Sequence, residues 1–311
     1  MAYDIIGDIH GQADKLHALL HHLGYRDAGG AYRHPDRIAI FVGDLIDGKE
    51  PRQVDSVMTV RRMVDAQSAL TIMGNHEFNA IAWHTPEPGL SGEFLRPRGG
   101  RLGQDNRNQH AAFLAEVEHD PRLHAELIDW FLTLPLWLDL PGLRVVHACW
   151  HEGYMNELRP HLTPYRQLTH KVMVAASQPH TMEFRTVEAL TKGLEIALPH
   201  GHSFFDKYGK ERHRVRIRWW DAAANTYRDL AMLNDDVRAG LPATRVPDGE
   251  RAAYDSAKPV FFGHYWMTGT PTHQSPTIAC VDYSAAHDGP LTAYRWDGEP
   301  VLDASNFISV G

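Results

Sequence analysis

Short motifs that combine glycine with aspartate, asparagine or histidine recur in a fixed order along the chain. Carboxylate and amide oxygens and imidazole nitrogens are the side-chain atoms that bind hard and borderline divalent metal ions. The residues of these motifs that can bind a metal are Asp8, His10, Asp44, Asn75, His147 and His264. Any one of them alone is explained as well by a turn, a helix cap or an ordinary histidine, because the chain has 21 histidines. The ordered set predicts a metal centre.

A pair of bound metal ions suits the hydrolysis of a phosphate ester or phosphoanhydride. The anionic phosphorus repels hydroxide, and two ions about 3.5–4 Å apart neutralise that charge and supply the nucleophile. The candidate ligands are oxygen and imidazole nitrogen, with no thiolate among them. This donor set favours manganese, and iron or zinc are alternatives.

Apolar runs and helical spacing predict the elements that position these residues. The predicted strands are 3–6, 38–42, 69–73, 143–146 and 260–262, followed by two closing antiparallel strands at 277–282 and 291–296. Helices are predicted at 13–23, ended by Gly24, and at 54–64. The alternation of strand and helix over the first eighty residues predicts a parallel sheet covered by helices.

The candidate ligands come directly after predicted strands. Asp8, Asp44 and Asn75 each follow one of the first three strands, and His147 and His264 end two later ones. Loops at the carboxyl ends of strands in α/β sheets converge, and ligands bind there. We therefore expect these side chains to meet in a single site.

The ordered motifs resemble those of the calcineurin-like metallophosphoesterases, and most of all the branch of PPP-type serine/threonine phosphatases and bacterial dinucleoside tetraphosphatases. The matching motifs lie between residues 4 and 296. The resemblance implies an α/β fold, a calcineurin-like β-sandwich flanked by helices (αββα), as a single domain over residues 1–311. We expect segments at about 80–141 and 150–258 to be insertions, with the larger one over the active rim.

The same resemblance implies roles for individual residues. The implied ligands are Asp8, His10 and Asp44 for a first ion, and Asp44 as the bridge, Asn75, His147 and His264 for a second. His76 is the implied general acid, and Asp47 the carboxylate that orients its imidazole and keeps it protonated. From the residues alone, a surface turn at Asp47 and a hydrogen-bonding His76 without proton transfer are the alternatives.

One position departs from the family pattern. PPP-like proteins usually have an arginine that binds phosphate directly after the second aspartate of the Gly-Asp-x-x-Asp motif, but here that residue is Gly48, followed by Lys49. Lys49 is therefore one candidate for substrate binding.

A basic run offers a second candidate. Arginines alternate with other residues over 212–218, with Lys207 nearby, and strand spacing would place them on one face. Arg214 and Arg216 are the predicted substrate-binding residues of this run. A solvated edge strand protected by its charge explains the same pattern. In that case the phosphate contact is expected in the loop 96–101.

Composition excludes several classes of protein. Hydrophobic content of 43%, charged content of 23% and a net charge of −8 are typical of a soluble globular protein and do not favour nucleic acid as a partner. The two cysteines, Cys149 and Cys280, do not form a disulfide scaffold and suit a reducing compartment. The most apolar stretch, 123–140, is interrupted by acids and prolines, which argues against a membrane span. The chain opens on a predicted strand, without a signal peptide, so we expect a cytoplasmic protein.

The resemblance to the calcineurin-like metallophosphoesterases implies a metal-dependent phosphoesterase that attacks with metal-bound hydroxide, with a PPP-like phosphatase as the preferred activity. A symmetrical dinucleoside tetraphosphatase and a nucleic-acid end phosphatase are alternatives of the same class. A catalytically weak phosphate-binding regulatory module is an alternative of another class, and intact His76 and Asp47 argue against it. The expected substrate is a phosphoprotein, a nucleotide or a small phosphate ester, and the oligomeric state stays open.

Overall fold

A computed structural model describes residues 1–206 and 209–311. Its strands in chain order are β1 (Ala2–Ile6), β2 (Arg26–Asp27), β3 (Tyr32–Arg33), β4 (Arg37–Phe41), β5 (Ala69–Thr71), β6 (Trp137–Asp139), β7 (Arg144–Val146), β8 (Glu195–Ala197), β9 (Phe204–Phe205), β10 (Glu211–Arg212), β11 (Arg214–Arg216), β12 (Val260–Phe262), β13 (Ile278–Cys280), β14 (Leu291–Trp296) and β15 (Phe307–Val310). Its α-helices are α1 (Ala13–Leu23), α2 (Gln53–Asp65), α3 (Asn75–His84), α4 (Gly100–Gln109), α5 (Ala111–Val117), α6 (Pro121–Leu132), α7 (Glu152–Leu158), α8 (His170–Ala176), α9 (Met182–Lys192), α10 (Tyr227–Leu230) and α11 (Asp235–Ala239). Short 3₁₀ helices lie at Arg159–His161, Asp248–Glu250, Ala285–His287 and Ala304–Asn306. No helix among the described residues combines the length and the apolar character needed to cross a membrane.

Two larger sheets form the centre of the fold. The first has five strands in the order β15-β14-β1-β4-β5, and β1, β4 and β5 run parallel while β14 is antiparallel to β1. The second has four strands in the order β13-β12-β7-β6, with β7, β12 and β13 parallel and β6 antiparallel to β7. The remaining strands form separate two-stranded sheets, β2-β3, β9-β10 and β8-β11.

The two sheets pack face to face. Alternate residues of each strand point to opposite faces of a sheet, and one buried cluster joins Ile5 and Tyr294 of the first sheet with Val145 and Phe261 of the second. The rings of Phe261 and Tyr294 lie 5.0 Å apart between centroids. This cluster is the inner core of a β-sandwich.

Helices α1 and α2 cover the outer face of the first sheet, and part of the 150–258 segment covers the outer face of the second. On the first sheet, Ile6 and Phe41 belong to the same buried cluster as Leu16 of α1 and Val60 of α2. On the second sheet, Phe262 packs against Trp219 and Trp220 of the 150–258 segment, with ring centroids 5.2 and 5.1 Å apart. The predicted αββα sandwich is confirmed, and part of the 150–258 segment forms the cover of the second sheet.

Some predicted elements differ from the structure. The segment 277–282 was expected to be an antiparallel strand. It contains β13, which lies parallel to β12 because the chain between them returns to the end of the sheet at which β12 begins. The 80–141 segment ends in β6, which is part of the second sheet.

The basic run over 212–218 is not one strand. Arg212 lies in the hairpin of β9 and β10, whereas β11 pairs with β8. Beyond β11 the chain turns so that the indole of Trp219 is buried, where it donates to the Ala148 carbonyl at 2.9 Å. Arg212 is therefore separate from the strand that carries Arg214 and Arg216, and Lys207 lies outside the described residues.

Candidate active site

The loops that carry the predicted ligands converge at one end of the sandwich. Asp8, Asp44 and Asn75 follow β1, β4 and β5 of the first sheet, and His147 and His264 follow β7 and β12 of the second. The carboxyl ends of the parallel strands of both sheets thus meet at the site, as the strand-end argument predicts.

The Asp44 carboxylate lies between two groups of potential ligand atoms. One group is His10, Asp44 and His76, the other is Asp44, His147 and His264, and within each group the atoms lie within 4.8 Å of one another. Asp44 Oδ2 is 3.8 Å from His10 Nε2 and 3.3 Å from His147 Nε2. A carboxylate that belongs to both groups occupies the position that a bridging ligand needs.

The remaining two predicted ligands, Asn75 and Asp8, contact residues of the second group. His147 Nε2 lies 3.2 Å from Asn75 Oδ1, and the backbone amide of His264 donates to Asp8 Oδ2 at 2.9 Å. All six predicted metal ligands are therefore brought together, and each is buried.

Hydrogen bonds fix which ring nitrogen of two histidines faces the site. Nδ1 of His10 donates to the Ile46 carbonyl at 3.0 Å, and Nδ1 of His147 donates to the Val42 carbonyl at 2.7 Å. Each bond leaves Nε2 as the atom directed at the ligand groups, as in metal-binding histidines. Among the described residues, His10 Nε2 and Asp8 Oδ1 are buried without a hydrogen-bond partner. Buried polar atoms without partners are costly, and a cation would satisfy both.

The electrostatics of the cluster also fit a cation. Burial and the neighbouring His76 lower the pKa of His10 to about 4, which keeps its ring neutral and able to bind a metal. Burial opposes protonation of His147, but the carboxylates of Asp44 and Asp8 outweigh it and raise its pKa to about 10. The two carboxylates thus attract positive charge to the centre of the site.

A buried glutamate ties the two central loops together. Glu77 accepts hydrogen bonds from the backbone amides of Asp44 at 2.9 Å, Leu45 at 2.8 Å and Gly74 at 2.9 Å. It thereby fixes the turn after β4 to the start of α3. Burial and the negative charge of Asp44 raise the pKa of Glu77 to about 7.

The predicted catalytic pair forms a direct hydrogen bond. His76 Nδ1 donates to Asp47 Oδ2 at 2.8 Å, and the Asp47 side chain is fully buried, so the surface-turn alternative for Asp47 does not describe this position. Burial disfavours the charged imidazole, but Asp44 and Asp47 outweigh it and raise the pKa of His76. Burial also opposes ionisation of Asp47, yet His110 and His76 lower its pKa to about 2.

His110 is a member of this network that the sequence did not reveal. Its Nδ1 donates to the second carboxylate oxygen of Asp47 at 2.7 Å, and its side chain is fully buried between α4 and α5. It lies in the segment expected as an insertion, without a motif around it. The only available signal was its type, which it shares with the chain's many other histidines.

The structure gives a steric reason for Gly48. A Cβ atom at this position would lie 1.8 Å from the backbone oxygen of His10, so no side chain fits there. The neighbouring Lys49 is exposed and lines a cavity of about 660 Å³ beside the site.

A central cavity of about 610 Å³ opens over Asp44, Asn75, His76 and His264. The cations on its wall are Arg96, Lys192 and Arg216. Both of the places considered for the missing phosphate contact, the 96–101 loop and the basic run, thus contribute an arginine.

The two predicted arginines of the basic run lie differently. Arg216 Nη1 is 3.3 Å from His264 Nε2 and its Nη2 is 3.6 Å from Glu195 Oε1. Arg214 donates to the Glu195 carbonyl and lines an adjacent cavity of about 390 Å³, whose wall also includes Arg216. Among the described residues, Arg96 Nη1 and Arg216 Nε are buried donors without a partner.

Relatives were found both over part of the chain and over nearly all of it. Over 77 residues the chain is 44% identical to a protein of Halalkalibacterium halodurans named bis(5'-nucleosyl)-tetraphosphatase PrpE [asymmetrical], a match that covers 24% of this chain and 31% of that protein. The chain thus spans less than a third of that relative's length. Over 311 residues the chain is 24% identical to a protein of Actinobacillus pleuropneumoniae named bis(5'-nucleosyl)-tetraphosphatase, symmetrical. This match covers 97% of this chain and 98% of that protein.

Solved structures were also compared. A cold-active protein-tyrosine phosphatase of a psychrophilic Shewanella is 13% identical with a TM-score of 0.48, covering 100% of this chain and 80% of that one. A protein serine/threonine phosphatase from Saccharomyces cerevisiae is 12% identical with a TM-score of 0.43, covering 100% and 79%.

The family comparison settles the class. The family model described as calcineurin-like phosphoesterase matches residues 1–235, which is well over half of the chain and includes every predicted ligand except His264. Together with the αββα sandwich, this match confirms the resemblance seen in the motifs. The chain belongs to the calcineurin-like phosphoesterase family.

Proposed function

We propose that this chain hydrolyses a nucleoside polyphosphate, with a dinucleoside polyphosphate as the preferred substrate, at a centre of two divalent metal ions. The observation that carries the proposal is the position of Asp44, whose carboxylate belongs to both groups of ligand atoms.

The donor set fits two metal ions. Asp8, His10 and Asp44 would hold one ion, and Asp44, Asn75, His147 and His264 would hold the other. The unpartnered Asp8 Oδ1 and His10 Nε2 and the oxygen and nitrogen donors support this assignment, with manganese preferred. When bound, the ions neutralise the phosphoryl charge and supply the nucleophile.

His76 is the proposed general acid. Its Nδ1 is held by Asp47, so Nε2 is the atom that faces the site, 3.8 Å from Asp44 Oδ2. Asp47 keeps the ring protonated, and the ring gives that proton to the leaving oxygen of the substrate. General acid catalysis of this kind contributes about 10²–10⁴-fold in rate. His110 positions Asp47 from its other side.

The cations of the central cavity are the proposed phosphate contacts. Arg96 and Arg216 each have a buried donor without a partner among the described residues and line the same cavity as His76. A guanidinium binds phosphate oxygens through two parallel hydrogen bonds. Lys192 adds a further positive charge, although it also pairs with Glu188. Lys49 and Arg214, on the neighbouring cavities, would reach only a substrate that extends beyond the central one.

The substrate class follows from these cations and from the relatives. Several cations around one cavity suit a chain of phosphates better than a single phosphoryl group. Both relatives described above are named as tetraphosphatases of bis(5'-nucleosyl) compounds. A PPP-like reaction on a phosphoprotein would use the same centre and the same acid, so the substrate panel below includes it.

The experiment compares the wild type with Asp44→Asn, with Asp235→Asn on the exposed helix α11 as the matched control. Elemental analysis should find up to two ions per wild-type chain and a loss of both in Asp44→Asn. Manganese-loaded protein is then assayed with diadenosine tetraphosphate, a phosphopeptide, an end-phosphorylated oligonucleotide and an aryl phosphate. We expect turnover of the tetraphosphate with the highest kcat/KM.

Three results would contradict the proposal. One ion retained at wild-type occupancy in Asp44→Asn would exclude the bridging role. Metal-loaded protein that turns over none of the substrates would support the phosphate-binding module instead, and a higher kcat/KM for the phosphopeptide would support the PPP-like phosphatase.

A further inference from the structure

Trp266 has an unusual backbone conformation for its size. It lies two residues after the predicted ligand His264, its φ is 46°, and it is 50% exposed. A bulky residue in the left-handed region is a true outlier, because its side chain crowds the following carbonyl. Such strain persists only where the surrounding structure enforces it.

A buried carboxylate holds this turn in place. Asp282 Oδ2 accepts a hydrogen bond from the Trp266 amide at 2.8 Å, and the Asp282 carbonyl accepts one from the Met267 amide at 3.0 Å. The other carboxylate oxygen accepts from the Ser284 amide at 2.9 Å. The side chain of Asp282 is therefore used to fix the position of Trp266.

The same backbone conformation marks the predicted site residues. Among the described residues, the non-glycine positions with positive φ include His10, Asp44, Asp47 and His264. These four lie in the candidate active site, and the set also contains residues outside it, such as Arg166 and His180. Within the site, the proposed hydrolysis does not use the side chain of Trp266. Strained positions cluster where function requires a side chain at a defined place.

The indole lies where two cavities meet. It lines the central cavity and also the neighbouring one of about 660 Å³, and His76 and Gln109 lie on both walls as well. The ring of His287 contacts the indole edge-on, with centroids 5.8 Å apart. Trp219 and Trp220 are buried in the core. Trp266, in contrast, is 50% exposed and lines both cavities together with the proposed general acid His76.

We propose that Trp266 is the platform on which a nucleobase of the substrate stacks while the phosphates extend into the central cavity. The inference rests on the proposed nucleoside polyphosphate substrate and names the residue that recognises its base. Every base offers a flat π-face to an aromatic ring, so such stacking is strong and tolerant of base identity. The amides of Asn108 and Gln109 line the neighbouring cavity and can hydrogen-bond the edge of a stacked base.

The test compares Trp266→Ala with Trp266→Phe, which keeps an aromatic ring. Tyr165→Ala, at an aromatic residue that is 75% exposed, is the matched control. The substrates are diadenosine tetraphosphate and inorganic tripolyphosphate, which carries phosphates but no base. We expect Trp266→Ala to raise KM for the tetraphosphate about tenfold or more with kcat little changed. Trp266→Phe should recover most of this loss, and KM for tripolyphosphate and the metal content should stay at wild-type values.

The outcomes separate this inference from the proposed function. An equal rise in KM for both substrates means that the change disturbs the His264 turn, and an unchanged KM for the tetraphosphate means that the base lies elsewhere. Either result overturns the platform while the substrate class stands. Wild-type protein that hydrolyses tripolyphosphate and not the tetraphosphate overturns the substrate class and the platform together.

Discussion

The carboxylate of Asp47 is shared by two imidazoles. One oxygen accepts from His76 and the other from His110, and both bonds are shorter than 3 Å. A carboxylate with only one partner can rotate about its side-chain bonds, whereas two partners on opposite oxygens fix its plane. The orientation of His76 therefore depends on a residue that has no contact with the ligand groups.

Replacement of His110 tests this dependence. His110→Asn keeps a donor near the position of Nδ1, whereas His110→Phe removes it and leaves a buried oxygen of Asp47 without a partner. We expect His110→Phe to lose part of the roughly 10²–10⁴-fold that general acid catalysis contributes, for substrates with poor leaving groups only. The leaving group of an aryl phosphate needs little protonation, so His110→Phe should turn over aryl phosphates at near wild-type rates. His110→Asn should have a kcat close to that of the wild type for both types of substrate.

The measurement is kcat for both substrate types in each variant, together with metal content and Tm. His119→Asn changes an exposed histidine of the same segment and serves as the control. Equal losses of kcat for both substrate types would show that His110 only supports the fold.

Which site residues can be recognised from sequence depends on how locally they are encoded. Asp8, Asp44 and Asn75 follow strands within short motifs, so spacing alone reveals them. His110 reaches the site from the 80–141 segment through tertiary packing, without a motif or a periodic neighbour, and Arg96 was anticipated only as part of the alternative loop 96–101. The basic run was recognised, and of its described residues Arg216 lines the central cavity, whereas Arg212 lies in a separate pair of strands.

At the scale of elements, the turns after β1 and β4 lie in direct contact. Gly48 fills the contact point, because even a methyl group there would overlap the His10 carbonyl. The family's usual arginine at this position is therefore incompatible with this pair of turns, which is why the proposed phosphate contacts lie on other elements.

We expect Gly48→Ala to push the two turns apart. Gly48→Arg should push them further apart and should not restore a phosphate contact. Both variants should have a lower Tm and a lower metal content than the wild type, since His10 is displaced. Gly249→Ala is the control, because a Cβ there meets no atom within 4 Å and the backbone needs no positive φ. Thermal unfolding and elemental analysis measure the two effects, and a Gly48→Arg variant with normal metal content and a lower KM would contradict this explanation.

The elements themselves were predicted well where a strand is buried on both faces. The runs at 260–262 and 291–296 match β12 and β14, and Gly24 ends α1 with φ of 98°. The apolar content of a strand does not show whether it runs parallel or antiparallel to its neighbour. The prediction that β13 is antiparallel was therefore wrong, because it pairs in parallel with β12. The short strands β2, β3 and β15 were not recognised, since β2 and β3 have two residues each and none of the three has a fully buried face.

At the scale of the molecule, the site joins the two sheets of the sandwich. Asp8, Asp44 and Asn75 come from one sheet, and His147 and His264 from the other. Metal ions bound by both sets would link the sheets at one end of the fold. Their binding free energy then adds to the stability of the folded state.

Removal of the metal should therefore lower Tm. At an ion concentration a hundred times Kd, the stabilisation is about 2.7 kcal/mol, which corresponds to a shift of several degrees for a protein of this size. Calorimetry with and without a chelator measures the shift, and manganese added back should restore it. Asp44→Asn should unfold at nearly the same temperature in both conditions. A chelator that left the wild-type Tm unchanged would show that the ions do not connect the sheets.

The pairing of β1 with β14 has a consequence for how this protein is made. Tyr3 pairs with Trp296, and the sheet has β1 between β4 and β14. A growing chain on the ribosome can form β1, β4 and β5 early, but β1 stays an open edge until residues 291–296 have emerged. Exposed strand edges in partly made chains favour aggregation and are slow to close when their partners are distant in sequence. Since His264 is also made well after Asp8, Asp44 and Asn75, the nascent protein has β1 paired on one side only and an incomplete set of predicted ligands until both later segments have emerged.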